Sequence, residues 1–126
     1  MSLITAGLEK LKTGDLLAGV PDASSAELLE TIVSLDGIRL ERIVSKGQAT
    51  PTGEWYDQPW HEFVFLAAGE ALLQIEGEPE AHRLCQGQWI MLPAHCRHRV
   101  ECTLPKQDTI WLAVNWPVYS ADRQKV

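Results

Sequence analysis

The stretch Gly87-Gln88-Trp89-Ile90-Met91-Leu92-Pro93-Ala94-His95-Cys96-Arg97-His98 sets a short apolar run between a glycine and a proline, then follows it with a loop carrying two histidines. Glycine enters turn conformations at no steric cost, and proline lacks the N–H that a continuing strand would donate. Gln88 to Leu92 therefore reads as a strand with a marked start and end. Upstream, Gly77-Glu78-Pro79 is a turn and Ala81 to Cys85 a short strand; Phe63 to Leu66 and Ala71 to Ile75 flank Ala68-Gly69, which predicts a turn with a return strand. Further back, Glu27 to Leu35 and Ile38 to Ser45 enclose Asp36-Gly37, a dipeptide whose accessible positive φ angles suit a two-residue hairpin. Ile38 and Leu40 alternate with Arg39 and Glu41, as expected of a sheet with one buried face. Downstream come Arg99 to Thr103, Pro105 as a breaker, and Thr109 to Asn115. At least eight short strands, frequent turn signals and no strong amphipathic helix predict an all-β antiparallel sandwich or jelly-roll β-barrel.

The rest of the chain is organised around that barrel. Thr5 to Ser25 carries Leu8, Leu11, Leu16 and Leu17, interrupted by Gly7, Gly14, Gly19 and Pro21, so residues 1–26 are expected to be a short N-terminal arm rather than a long helix. Such an arm can cover a sheet edge, on its own barrel or on a neighbour's. Residues 27–116 form the expected barrel and 117–126 a C-terminal tail. A chain of 126 residues with an ordinary apolar share suits one core. The net charge of −6, with scattered Lys and Arg, offers no basic face, so no nucleic acid is expected as a partner. No segment reaches the roughly 18 apolar residues that span a bilayer, and no signal segment is evident, so no membrane partner and a cytoplasmic location are expected. The three cysteines, Cys85, Cys96 and Cys102, lack a Cys-x-x-Cys spacing and are expected to be reduced. Cys96, between His95 and His98, reads either as a small buried hydrophobe or as a reactive or ligating thiol.

Strand alternation assigns faces. If Glu62 points inward with Val64 and Leu66, His61 points outward with Phe63 and Phe65, and only a bulge would bring His61 inside. Arg97 and Arg99 alternate with His98 and are expected to face away from it. Trp55, Tyr56, Trp60, Trp89, Trp111 and Trp116 are numerous for this length. They suit core or dimer-interface packing, with Trp55 and Tyr56 also placed to wall a pocket.

Gly87, Pro93 and His98, together with Glu62 separated from Gly69 by six residues, resemble the two signatures of the cupin superfamily over about residues 27 to 116. Trp55-Tyr56-Asp57-Gln58 and Pro93 to Val100 are similar to small single-domain bacterial cupins. The resemblance implies a cupin jelly-roll barrel, usually a homodimer, with Glu62 and His98 reaching into the lumen toward a metal ion. His95 stands where the family has glycine. The family's upstream His-x-His pair falls here on Trp55/Asp57 or on Tyr56/Gln58, so two of four usual ligands are replaced. Asp57 then reads either as a hard oxygen ligand or as a turn cap before Pro59. A Glu62, His98 and Asp57 set would suit Fe(II), Mn(II), Ni(II) or Zn(II). Gln58, Tyr56, His95 and Trp55 would form the pocket or its supporting shell, with His61 a less favoured ligand. Two outcomes stay open: an oxygenase, isomerase or lyase that uses a divalent metal on a small polar molecule, or a metal-free binding module or dimerising structural barrel.

Overall fold

The structure, a computed structural model, describes residues 10–119. Residues 1–9 of the arm and 120–126 of the tail lie outside the described residues. Eight strands follow one another: β1 (Leu28–Leu35), β2 (Ile38–Ser45), β3 (Trp60–Ala68), β4 (Glu70–Ile75), β5 (His82–Cys85), β6 (Trp89–Leu92), β7 (His98–Thr103) and β8 (Thr109–Pro117). The described residues contain no helix, hence none long and apolar enough to cross a membrane. One sheet has the order β1-β2-β8-β3-β6 and the other β5-β4-β7, all pairs antiparallel. The Asp36-Gly37 hairpin forms as its dipeptide predicts, both residues at positive φ, 52° and 81°.

The Ala68-Gly69 turn behaves differently from the sequence expectation. The strand after it is not a return strand: β3 pairs with β6 and β8, whereas β4 pairs with β5 and β7 in the other sheet. The chain crosses between the two layers at Gly69, whose φ is +87° and where a Cβ would sit 2.5 Å from Thr109 Oγ1 and 2.8 Å from the Asp108 carbonyl oxygen. Two apolar runs separated by a glycine look alike whether they form a hairpin or a corner; here the close backbone approach fixes the corner.

Between the sheets, Val64, Leu66, Leu73, Ile75, Leu84, Leu92 and Trp111 pack as the core. Inward-facing residues run in rows across the larger sheet. Ile43, Trp111 and Leu66 share one row; Glu41, Ala113, Val64 and Ile90 the next; Arg39, Asn115, Glu62 and Leu92 the third. The barrel is therefore apolar at one end and polar at the other. The arm crosses the outer side of β1 and β2, where Arg42 donates to the carbonyls of Leu16, Ala18 and Gly19 while its Nε holds Glu30 at 2.7 Å. Farther on, Gln48 donates to the carbonyl of the fully buried Ala23.

Gly69→Ala should lose at least about 3 kcal/mol, from left-handed strain and overpacking together. Gly53→Ala, at φ +82° with nothing within 4 Å of the added methyl, should lose only about 1 kcal/mol from strain alone. Urea denaturation of the two variants beside the parent chain measures the difference.

Candidate functional site

A cavity of about 230 Å³ opens at the polar end of the barrel. Its walls come from both sheets and from the segment before β3. β3 supplies Trp60, Glu62 and Val64; β2 supplies Arg39, Glu41 and Ile43; β8 supplies Trp111 and Asn115; β7 supplies His98 and Val100; and the segment before β3 supplies Tyr56 and Gln58. That segment is extended and lies against β7. Tyr56 N–H donates to the His98 carbonyl at 2.7 Å, His98 N–H returns to the Tyr56 carbonyl at 3.1 Å, and His95 N–H donates to the Gln58 carbonyl at 2.7 Å. Arg99 clamps its approach by donating to the carbonyls of Pro51, Glu54 and Thr50.

Alternation along this extended segment decides between the two candidate registers. Tyr56 and Gln58 point into the lumen, so Trp55 and Asp57 point out. The expectation that Asp57 joins Glu62 and His98 as a ligand is thereby corrected: its carboxylate meets His95 Nδ1 at 2.8 Å on the exposed surface. His95 and Trp55 likewise lie outside the cavity, Trp55 beneath the Arg97 guanidinium. His95 adopts φ 63°, the left-handed conformation for which the family's glycine at this position is suited. His61 faces outward as alternation requires; its Nδ1 accepts the Ala94 N–H at 3.0 Å and its ring rests against Trp116. Cys96 packs against the core and burial raises its thiol pKa, which fits the small hydrophobe rather than a thiolate. All three cysteines are free.

Glu62 and His98 do meet in the lumen, with Glu62 Oε1 3.9 Å from His98 Nε2. His98 Nδ1 lies 2.8 Å from the Cys96 carbonyl, which can only accept, so Nδ1 carries the proton and Nε2 turns its lone pair to the cavity. Burial holds the imidazole pKa below its usual value, and the Tyr56 ring stacks over it at 5.5 Å. Burial also drives Glu62 upward, assisted by the nearby Glu41 carboxylate and opposed by Arg39, to a pKa of about 7. Glu41 is itself buried, accepting from Asn115 Nδ2 at 3.1 Å and facing Arg39 at 3.6 Å. Arg39 in turn lies 4.7 Å over the Trp60 ring. Beneath them, Trp111 Nε1 donates to Ser45 Oγ, which donates to Glu27.

The donor set does not match the three-ligand metal site that the resemblance implies. Glu62 and His98 supply two ligands, Asp57 is turned away, and among the described residues no group of three His, Cys, Asp or Glu side chains gathers close enough to hold an ion. Arg39, Glu41, Asn115 and Trp60 are the members that sequence reasoning did not place here. The alternation Ile38-Arg39-Leu40-Glu41 carried the signal, with its meaning inverted: the charged face is the buried one.

Comparison with known proteins agrees with this architecture. No family model matches the chain, and no curated protein matches it. A crystal structure of a Ralstonia eutropha protein, provisionally named a mannose-6-phosphate isomerase, is 40% identical and superposes with a TM-score of 0.83, over 86% of this chain and 100% of that one. A cupin superfamily protein from Desulfitobacterium hafniense (14% identical, TM-score 0.68, 86% and 94% covered) and an RmlC-like cupin from Desulfovibrio desulfuricans (15%, 0.68, 86% and 100%) share the fold. The chain has the cupin fold.

The raised pKa of Glu62 ties stability to pH. Between its usual 4.5 and about 7 the folded chain holds a proton that the unfolded chain has released, so stability falls as pH rises through that window. Glu62→Gln should be more stable than the parent at pH 8 by up to about 3 kcal/mol, the gain shrinking toward pH 5. Urea titrations of both chains at pH 5 and pH 8 test this, and an unchanged difference would contradict a buried, ionising Glu62.

Proposed function

We propose that the cavity binds a small hydroxy-carbonyl compound and isomerises it by proton transfer between Glu62 and His98. The carrying observation is the pairing of a carboxyl poised near neutrality with an imidazole lone pair 3.9 Å away, both facing one cavity. The name of the 40% identical relative, a proposed sugar-phosphate isomerase, agrees with that reaction class. His98 Nε2 takes a proton from the carbon beside the substrate carbonyl, and the Glu62 carboxyl gives its proton to the carbonyl oxygen, leaving a neutral enediol. Glu62, now a carboxylate, takes the proton of the second hydroxyl as the new carbonyl forms, and His98 returns its proton to the former carbonyl carbon. Atoms and charge balance over the cycle, and both groups end as they began. The chemistry assigned to the site is carried by these two side chains. Tyr56 stacks on the imidazole and the Cys96 carbonyl fixes its tautomer.

We also propose a homodimer joined through the outer face of the larger sheet. Leu40, Val114, Phe63 and Met91 form one apolar row there, and Leu112, Phe65 and Trp89 extend the next, with Trp89 61% exposed.

In deuterated water, the parent chain incubated with dihydroxyacetone or D-fructose should place deuterium on the carbon next to the carbonyl, followed by proton NMR. Glu62→Gln and His98→Gln should each slow this by at least about a hundredfold. Because the acid must be protonated and the base neutral, the rate should fall as pH rises past about 7 and again below the lowered pKa of His98. Exchange that survives in both variants would overturn the reading, as would one equivalent of tightly held metal lost from a Glu62→Gln/His98→Ala chain. For the dimer, Trp89→Glu should shift sedimentation from dimer to monomer without unfolding the barrel.

A further inference from the structure

Two buried polar atoms at the cavity have no partner: Trp60 Nε1, a donor, and Asn115 Oδ1, an acceptor. The assignment of the Asn115 amide is fixed by chemistry. Its nitrogen faces the Glu41 carboxylate, which only accepts, so the oxygen is the atom left over. Asn115 is 2% exposed and sits beside Glu62 in the third inward row. Leaving such atoms unsatisfied is costly unless something that enters the cavity completes them. One donor and one acceptor in the same wall are answered by hydroxyl groups, each of which both gives and takes a hydrogen bond.

Charge narrows the class further. The carboxylates of Glu27 and Glu41 line the cavity beside the Glu62 acid, against one permanently charged cation, Arg39. That guanidinium is engaged by Glu41 on one side and the Trp60 ring on the other. His98 adds no positive charge, since its Nδ1 proton is spent on the Cys96 carbonyl and Nε2 is bare. A phosphate or carboxylate entering here would lose its hydration and meet carboxylates with no free cation to answer it. We infer that the ligand of this cavity is an uncharged polyhydroxy carbonyl compound, an unphosphorylated sugar or shorter analogue, and that the site rejects phosphate esters. A cavity of about 230 Å³ suits a molecule of that size. The inference rests on the proposal that this cavity is the substrate site, and it separates this chain from what the name of its 40% identical relative would suggest.

Matched probes test it on the full chain labelled with ¹⁵N. Dihydroxyacetone and D-fructose, each beside its phosphate ester, are titrated while the Trp60 indole N–H and Asn115 side-chain amide signals are followed. The uncharged member of each pair should move both signals with a dissociation constant at least about tenfold lower than its ester. Glu27→Gln, which removes one of the lining carboxylates, should tighten the esters about threefold or more relative to their uncharged partners. If the esters bind as tightly as the free compounds, the charge inference falls while the isomerase reading stands. If no probe moves either signal, both fall together.

Discussion

The pairing of β8 between β2 and β3 is the constraint on which the rest of the molecule depends. Its register aligns Arg39, Asn115 and Glu62 across three strands and, one row deeper, Glu41 with Ala113 and Val64. Because side chains alternate strictly along each strand, that single alignment puts the polar row inside and the aromatic and aliphatic row outside. Everything that distinguishes the lumen follows: the raised carboxyl of Glu62, the orphaned Asn115 oxygen, and the buried Glu41 with its two partners. The smaller sheet contributes one decisive group, His98, and the backbone pairing with Tyr56 fixes its place.

Burying so many polar groups opposes stability. Each desolvated carboxylate costs free energy unless neutralised or hydrogen-bonded. Of its two buried carboxyls the chain manages Glu41 in full, through Asn115 and Arg39. Glu62 is managed differently, by holding its proton up to near neutrality. A residue kept in that state adds little to folding, and its placement makes physical sense as part of a site rather than of a scaffold. The apolar core at the opposite end, around Leu66, Leu73 and Trp111, supports this local deficit.

Much of the fold was legible in the sequence because turn residues and alternation act over a few positions. Asp36-Gly37 and the strands of β1, β2, β5, β6, β7 and β8 were of this kind, as were the inward Glu62 and outward His61. The Gly69 corner was not legible, since hairpin and crossover differ only in which distant strand waits on the far side. At the site, Glu62 and His98 were legible through the resemblance to the two cupin signatures, whereas Asp57 was not: one residue of register in an irregular segment reverses which side chain faces in. Arg39 and Glu41 were hidden for a different reason. Charged residues alternating with Ile38 and Leu40 describe a wet outer face in most sheets, and here the apolar residues are the outer ones.

The arm illustrates how a segment can be docked without joining a ladder. Arg42 seizes three of its carbonyl oxygens, and Gln48 a fourth at Ala23, so side chains rather than strand pairing hold it at these points. Hydrogen exchange reports on amide protons and is blind to carbonyls. An attachment made in this way can therefore be tight and still leave little trace of protection, while a protease or a charge change at position 42 would register it at once. The seam between arm and barrel is thus written in the side chains of Arg42 and Gln48, apart from the strand ladders that hold the sheets together.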